Sequence, residues 1–112
     1  MTTKEDVQML SFSIILHAGN ARSSAMEAIS LAKSYQFAEA RQKIAEADEE
    51  FTEAHHIQTK FLQEEAEGNQ TEVSVILIHA QDHLMTAMTV KDLASEMIDM
   101  YEKMQILEEG NK

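Results

Sequence analysis

The sequence predicts an all-α protein, an antiparallel up-down-up bundle of three helices. Three observations carry that prediction. The 112 residues contain no proline and three glycines, while Ala, Glu, Gln, Leu, Lys and Met, which cost a helix least, are plentiful. Apolar residues recur at steps of three and four along most of the chain, the period of a helix with one buried face. Two breaks divide this pattern, at Ser34-Tyr35-Gln36 and at Gly68-Asn69-Gln70. The length suits one domain, and residues 1–112 are read as one.

The first helix is expected to start at Thr3, a candidate N-cap with Asp6 three residues on. Its stripe is Val7, Leu10, Ile14, Ala18, Ala21, Ala25, Ala28 and Ala32, mostly alanines, which let a neighbouring helix come close. Gly19 falls in the middle, where glycine costs about 1 kcal/mol against alanine; either the helix bends there or the small residue makes room for something. The second helix is expected from about Phe37 to Glu67, with Ala40, Ile44, Ala47, Phe51, Ala54, Gln58 and Phe61 or Leu62 inward. Its other faces carry acids and bases, as a solvated face does. Gly68 sits where a C-terminal cap residue belongs.

The third segment is expected to start after Thr71, a candidate N-cap, and to run to about Leu107, with a frayed polar tail from Glu108. Val75 to Ile78 alone would also suit a strand. Length decides for helix, because the stripe Val73, Leu77, Ala80, Leu84, Ala87 continues as Ala94, Ile98 and Tyr101. A second stripe is nearly as apolar: Ile76, His79, His83, Val90, Leu93, Met97, Met100 and Met104. A helix apolar all round is buried all round. A single small bundle cannot provide that cover, so the pattern predicts self-association with the third helix at the centre.

Nine basic against twenty acidic residues give a formal net charge of −11. Nucleic acid and anionic membranes are poor partners for such a surface, whereas a protein with a basic patch is well matched. Cysteine is absent, which excludes disulfides and thiolate metal sites. No apolar run approaches the roughly 20 residues of a membrane span, and the N-terminus lacks the order of a signal peptide. The chain reads as soluble and cytoplasmic, with no direct membrane insertion.

Within the apolar third segment stands His79-Ala80-Gln81-Asp82-His83-Leu84. On a helix His79, Asp82 and His83 lie at i, i+3 and i+4 and share a face. A dry core gains nothing from histidines, and a buried carboxylate is costly unless paired. Titratable groups clustered in this way mark a functional site. If Asp82 lies at a subunit interface, cyclic symmetry gathers its copies, which must then take up protons or hold a cation. Oxygen ligands suit a hard ion such as Mg²⁺. The alternative is an Asp82 paired with a nearby imidazole or with Lys91. Gln81 points to another face of the helix.

These residues, with several further blocks, resemble the lactose/cellobiose-type IIA components of the bacterial phosphoenolpyruvate-dependent sugar phosphotransferase system (PTS). The blocks are Ile15-Leu16-His17-Ala18-Gly19-Asn20-Ala21-Arg22-Ser23, Ala25-Met26-Glu27-Ala28, Ala54-His55-His56-Ile57-Gln58-Thr59, Glu65-Ala66-Glu67-Gly68 and His79 through Thr86. The likeness runs from about Phe12 to Tyr101. Ser34-Tyr35-Gln36 departs from it, since the family usually turns there on Gly-Asp or Gly-Asn.

The resemblance implies a homotrimer. It implies that His79 accepts a phosphoryl group on its tele nitrogen from phospho-HPr and hands it to a cysteine of the IIB component. The membrane IIC component is then reached only indirectly. It further implies that Asp82 meets its symmetry mates around one metal ion per trimer, Mg²⁺ by donor type. The sugar class it implies is β-linked disaccharides such as lactose, cellobiose or chitobiose, with the choice among them left open by the sequence. The chemistry suits the residues: a neutral imidazole is a competent nucleophile near pH 7, and phosphoryl transfer asks mainly for positioning and charge stabilisation. His83, one turn on, is a candidate donor to a phosphoryl oxygen, with simple packing as the alternative. Gln81 is a candidate pocket residue reaching a neighbouring subunit.

Other residues weigh less. His17 is read as packing or lining the pocket, and Arg22 as pairing with an acid or steering phosphate. His55 and His56, adjacent in sequence, point apart on a helix. A different class of function also fits the apolar third helix, a non-catalytic adaptor that only assembles a complex. A metal-storage bundle fits poorly, because paired Glu-x-x-His motifs are missing.

Overall fold

The two helix C-termini inside the chain end in the same motif with different residues at its key position. A computed structural model describes residues 3–69 and 72–111. It contains three helices, α1 (Lys4–Lys33), α2 (Phe37–Ala66) and α3 (Val75–Gly110). At the end of α2, Gly68 N–H donates to Glu65 O at 3.0 Å and Asn69 N–H to Glu64 O at 2.9 Å. With Gly68 at φ 90°, this is the Schellman arrangement that satisfies carbonyls left over by the last turn. At the end of α1, Tyr35 N–H donates to Ala32 O at 3.0 Å and Gln36 N–H to Leu31 O at 2.9 Å. Here Tyr35 takes the left-handed position, at φ 61°.

The start of α1 is as expected. The Thr3 hydroxyl accepts from Asp6 N–H, and the Asp6 carboxylate accepts from Thr3 N–H, a reciprocal capping box. Thr3, through its side chain first and its backbone N–H second, holds the Asp6 carboxyl below its ordinary pKa. The helix runs unbroken through Gly19, so the bend allowed for in the sequence is not there.

The start of α3 differs from expectation. Thr71 lies outside the described residues, and the cap is Ser74, whose hydroxyl accepts from Leu77 N–H at 3.2 Å. The far end differs too: the helix continues to Gly110 instead of fraying after Leu107. The last turn of α3 lies beside the α1–α2 corner, where the Glu108 side chain raises the Tyr35 phenol pKa.

Cross-helix pairs fix the direction of each helix. Between α1 and α2, His17 meets Glu50 and Glu27 meets Lys43. Between α2 and α3, Arg41 reaches Asp99 and Glu102, Asp48 reaches Lys91, and Gln58 reaches Gln81. In both sets one number rises as the other falls, so consecutive helices are antiparallel and α1 and α3 run parallel. The result is a rod of 64 × 20 × 19 Å.

The core is built largely from alanine. Ala18, Ala21, Ala25, Ala28 and Ala32 of α1, Ala40, Ala47 and Ala54 of α2, and Ala80, Ala87 and Ala94 of α3 are fully buried. Larger side chains fill the spaces between them: Ile14, Phe51, Phe61, Leu84 and Ile98. Of the two residues left open in α2, Phe61 is the buried one and Leu62 is exposed. α1 packs along both partners, whereas α2 and α3 meet far more sparingly. One face of α3 is therefore uncovered in the single chain, with Val75 85% exposed, Leu93 53% and Met100 62%.

Candidate functional site

The His79 to His83 segment is set on α3 by the residues between and beyond its polar members. Ala80 and Leu84 are fully buried against α1 and α2. That anchoring fixes the rotation of the helix and turns His79 and Asp82 to the outside and His83 to a half-buried position. Thr86 Oγ1 donates back to the carbonyls of Asp82 at 3.0 Å and His83 at 3.1 Å, spending its hydroxyl on its own helix.

The two imidazoles stand parallel, with ring centroids 5.9 Å apart and planes inclined by 4°. Among the described residues neither ring makes a hydrogen bond or ion pair within the chain. His83 points across to α1. A Cβ built on Gly19 would lie 3.6 Å from His83 Nε2 and, beyond its own stretch of α1, within 4 Å of nothing else. Gly19 and His83 are thus neighbours, on an α1 that runs straight through the glycine.

Gln81 turns the other way, toward α2, where its Oε1 accepts from Gln58 Nε2 at 2.6 Å. Its face differs from that of His79, as the helical spacing indicates. The sequence reading put Gln58 in an apolar stripe and missed this pairing; a glutamine at a core register was the only available signal.

Asp82 is exposed, and among the described residues its carboxylate has neither an ion pair nor a hydrogen bond. Lys91, considered as its partner, instead contacts Asp48 at 2.9 Å and Asp92 at 3.5 Å. The hydrogen bond from Lys91 to Asp48 raises the lysine pKa against the opposing effect of its partial burial. One chain presents one free carboxylate here, and no group of three potential metal ligands forms among the described residues.

The other histidines lie elsewhere. His17 faces α2, with Nδ1 2.6 Å from Glu50 Oε2; an ionised carboxylate only accepts, so Nδ1 carries the proton. Glu50 was not singled out in the sequence, and no local spacing points to a pair 33 residues apart. His55 and His56 are exposed on α2. Arg22 is exposed on α1 and makes no ion pair among the described residues.

Residues 9–102, most of the chain, match the family model described as PTS system, Lactose/Cellobiose specific IIA subunit. The chain belongs to that IIA family. As a lactose/cellobiose-family IIA component it is a phosphotransferase, a phosphocarrier of sugar uptake. The lichenan-specific phosphotransferase enzyme IIA component of Bacillus subtilis is 57% identical over 99 residues, covering 88% of this chain and 90% of that protein. The crystal structure of the PTS cellobiose-specific enzyme IIA from Bacillus anthracis superposes with a TM-score of 0.87 at 52% identity, covering 95% of each chain. The IIA(Chitobiose) chain solved in solution in complex with HPr, from Escherichia coli, gives 0.78 at 35% identity, covering 88% of this chain and 96% of that one.

This family membership decides against the non-catalytic adaptor. It also places the sequence resemblance, read from blocks between Phe12 and Tyr101, on nearly the same span as the family match. Among the described residues no helix is long and apolar enough to cross a membrane.

Proposed function

We propose that residues 1–112 form one cytoplasmic IIA domain in which His79 is the phosphoryl carrier. His79 takes the group from phospho-HPr and passes it to the cysteine of a IIB component. The membrane IIC component, contacted only indirectly, then imports and phosphorylates a β-linked disaccharide of the lactose, cellobiose or chitobiose class. The observation that carries this reading is the condition of the His79 ring. It is exposed on a helix anchored by the buried Ala80 and Leu84, and among the described residues it has no hydrogen-bond partner.

An imidazole nitrogen with a free lone pair attacks the phosphorus of the donor phosphohistidine. The new N–P bond forms as the donor N–P bond breaks, and the bonding pair returns to the donor ring. In the second transfer the IIB thiolate attacks phosphorus, and the pair returns to His79. The tele nitrogen, Nε2, is the one assigned to this work. His83, parallel to His79 one turn away, is assigned to donate an N–H to a phosphoryl oxygen. Gln81, held within its own chain by Gln58, is assigned to the pocket of a neighbouring subunit.

The uncovered apolar stripe of α3, with Leu93, Met97, Met100 and Met104 exposed, supports assembly of three chains around α3. Asp82 supports a cation at the centre of that trimer. Its carboxylate is an unpaired oxygen donor, the right chemistry for a hard ion such as Mg²⁺, and one chain is not enough to hold it. Three copies of Asp82 would supply one ion per trimer, which neutralises carboxylates that otherwise repel.

Phosphorylation tests the reading. Supplied with phosphoenolpyruvate and the general phosphotransfer proteins, wild type is expected to acquire an acid-labile, base-stable phosphoryl group. His79→Ala is expected to keep its helicity and acquire none. Wild type that stays unlabelled, or His79→Ala that labels normally, overturns the proposal.

A further inference from the structure

Gly19 stands in the interior of a 30-residue helix, where glycine is less favourable than alanine. Its backbone does not need it. The helix is continuous through it, and the φ values that demand glycine occur at Tyr35 and Gly68 instead. Nor does helix packing need it, because beyond its own stretch of α1 a Cβ at this position would meet no backbone and no core side chain within 4 Å. The one atom it would meet is His83 Nε2, at 3.6 Å.

That distance is ordinary contact, so a methyl group fits without displacing anything. What it removes is the free space beside the nitrogen. A polar partner of Nε2 has to come within about 3 Å along the N–H direction, and a methyl carbon in contact with Nε2 closes that approach from the α1 side. Among the described residues His83 has no hydrogen bond, so its Nε2 edge is unspent.

We propose that Gly19 is a positioning residue for phosphoryl transfer: its missing side chain keeps open the space in which His83 Nε2 meets the phosphoryl group carried by His79. This rests on the reading of His79 as the carrier. Gly19 touches neither the phosphoryl group nor its donor; it acts through His83.

The test compares wild type, Gly19→Ala, His83→Ala and the double variant, each charged by phospho-HPr. Gly19→Ala is expected to melt at a higher temperature and to keep the KM for phospho-HPr. Its transfer rate should fall by at least about tenfold, in the range seen when a stabilising donor is removed. In the His83→Ala background, Gly19→Ala is expected to cause no further loss. The ¹H–¹⁵N signal of His83 Nε2 should shift on phosphorylation in wild type and stay unmoved in Gly19→Ala.

A Gly19→Ala rate equal to wild type overturns the role of Gly19 and leaves the carrier reading intact. So does a loss that is undiminished in the His83→Ala background, since the effect then does not pass through His83. Wild type that takes up no phosphoryl group overturns the carrier reading itself.

Discussion

Gln58 on α2 donates its side-chain N–H to the carbonyl oxygen of Gln81 on α3, across 2.6 Å of half-buried space. This bond crosses the sparsest of the three helix contacts, in the very segment that carries His79. Gln58→Ala leaves the Gln81 amide short of a partner, which costs about 1 kcal/mol. Replacing both glutamines by leucine removes the polar groups together and should be close to neutral. Denaturant midpoints of the two variants check this, and equal losses would show that the pair contributes nothing of its own.

Tyr35 holds a backbone conformation that glycine adopts freely. Its ring also stacks on Phe37, with centroids 5.8 Å apart. Tyr35→Asn should be better tolerated than Tyr35→Val, because asparagine enters the left-handed region readily and a β-branched residue does not. The expected gap in stability is about 1 kcal/mol or more, read as a difference in thermal midpoint.

The same tyrosine gives a pH signature. Its hydrogen bond to Glu108, together with burial and the nearby negative charge, raises the phenol pKa. A raised folded-state value means the bond contributes fully below the unfolded pKa of about 10 and is lost as pH rises through the folded one. Amide exchange at the end of α3 should therefore quicken above that range, and Tyr35→Phe should show faster exchange already at neutral pH. At the other end of the chain the sign reverses. The Asp6 carboxyl is held low by Thr3, so the first turn of α1 should loosen as pH falls below about 4.

Much of this architecture was legible in the sequence, for definite reasons. The alanine stripe of α1 and the Thr3–Asp6 cap are local patterns, and both appear as read. The start of α3 was misplaced because Thr71 and Ser74 are both acceptable caps, and the chain before Val75 offers no periodicity to choose between them. The end of α3 was set too early because its neighbour at the α1–α2 corner, Tyr35, lies 73 residues away in sequence. At the site, i, i+3 and i+4 spacing placed His79, Asp82 and His83, whereas the partners Glu50 and Gln58 sit on another helix at no fixed spacing. Family blocks in the sequence supplied the reaction, which periodicity alone did not.

Asp82 provides a test by removal of metal. With Lys91 committed to Asp48, nothing among the described residues neutralises the Asp82 carboxylate. If copies of it converge in the proposed trimer, chelation of divalent ions should weaken that assembly, seen as a fall in sedimentation mass. Asp82→Leu should remain assembled and become insensitive to chelator, since replacing the charge with an apolar group removes both repulsion and desolvation cost. Monomers of Asp82→Leu would refute the proposed role.

The most direct measurement is to locate the phosphoryl group itself by long-range ¹H–¹⁵N correlation of the histidine rings before and after charging with phospho-HPr. The expected result is a phosphoramidate on Nε2 of His79, with the rings of His17, His55 and His56 unmodified. A phosphoryl group bonded to any other histidine, or to none, would contradict the central claim.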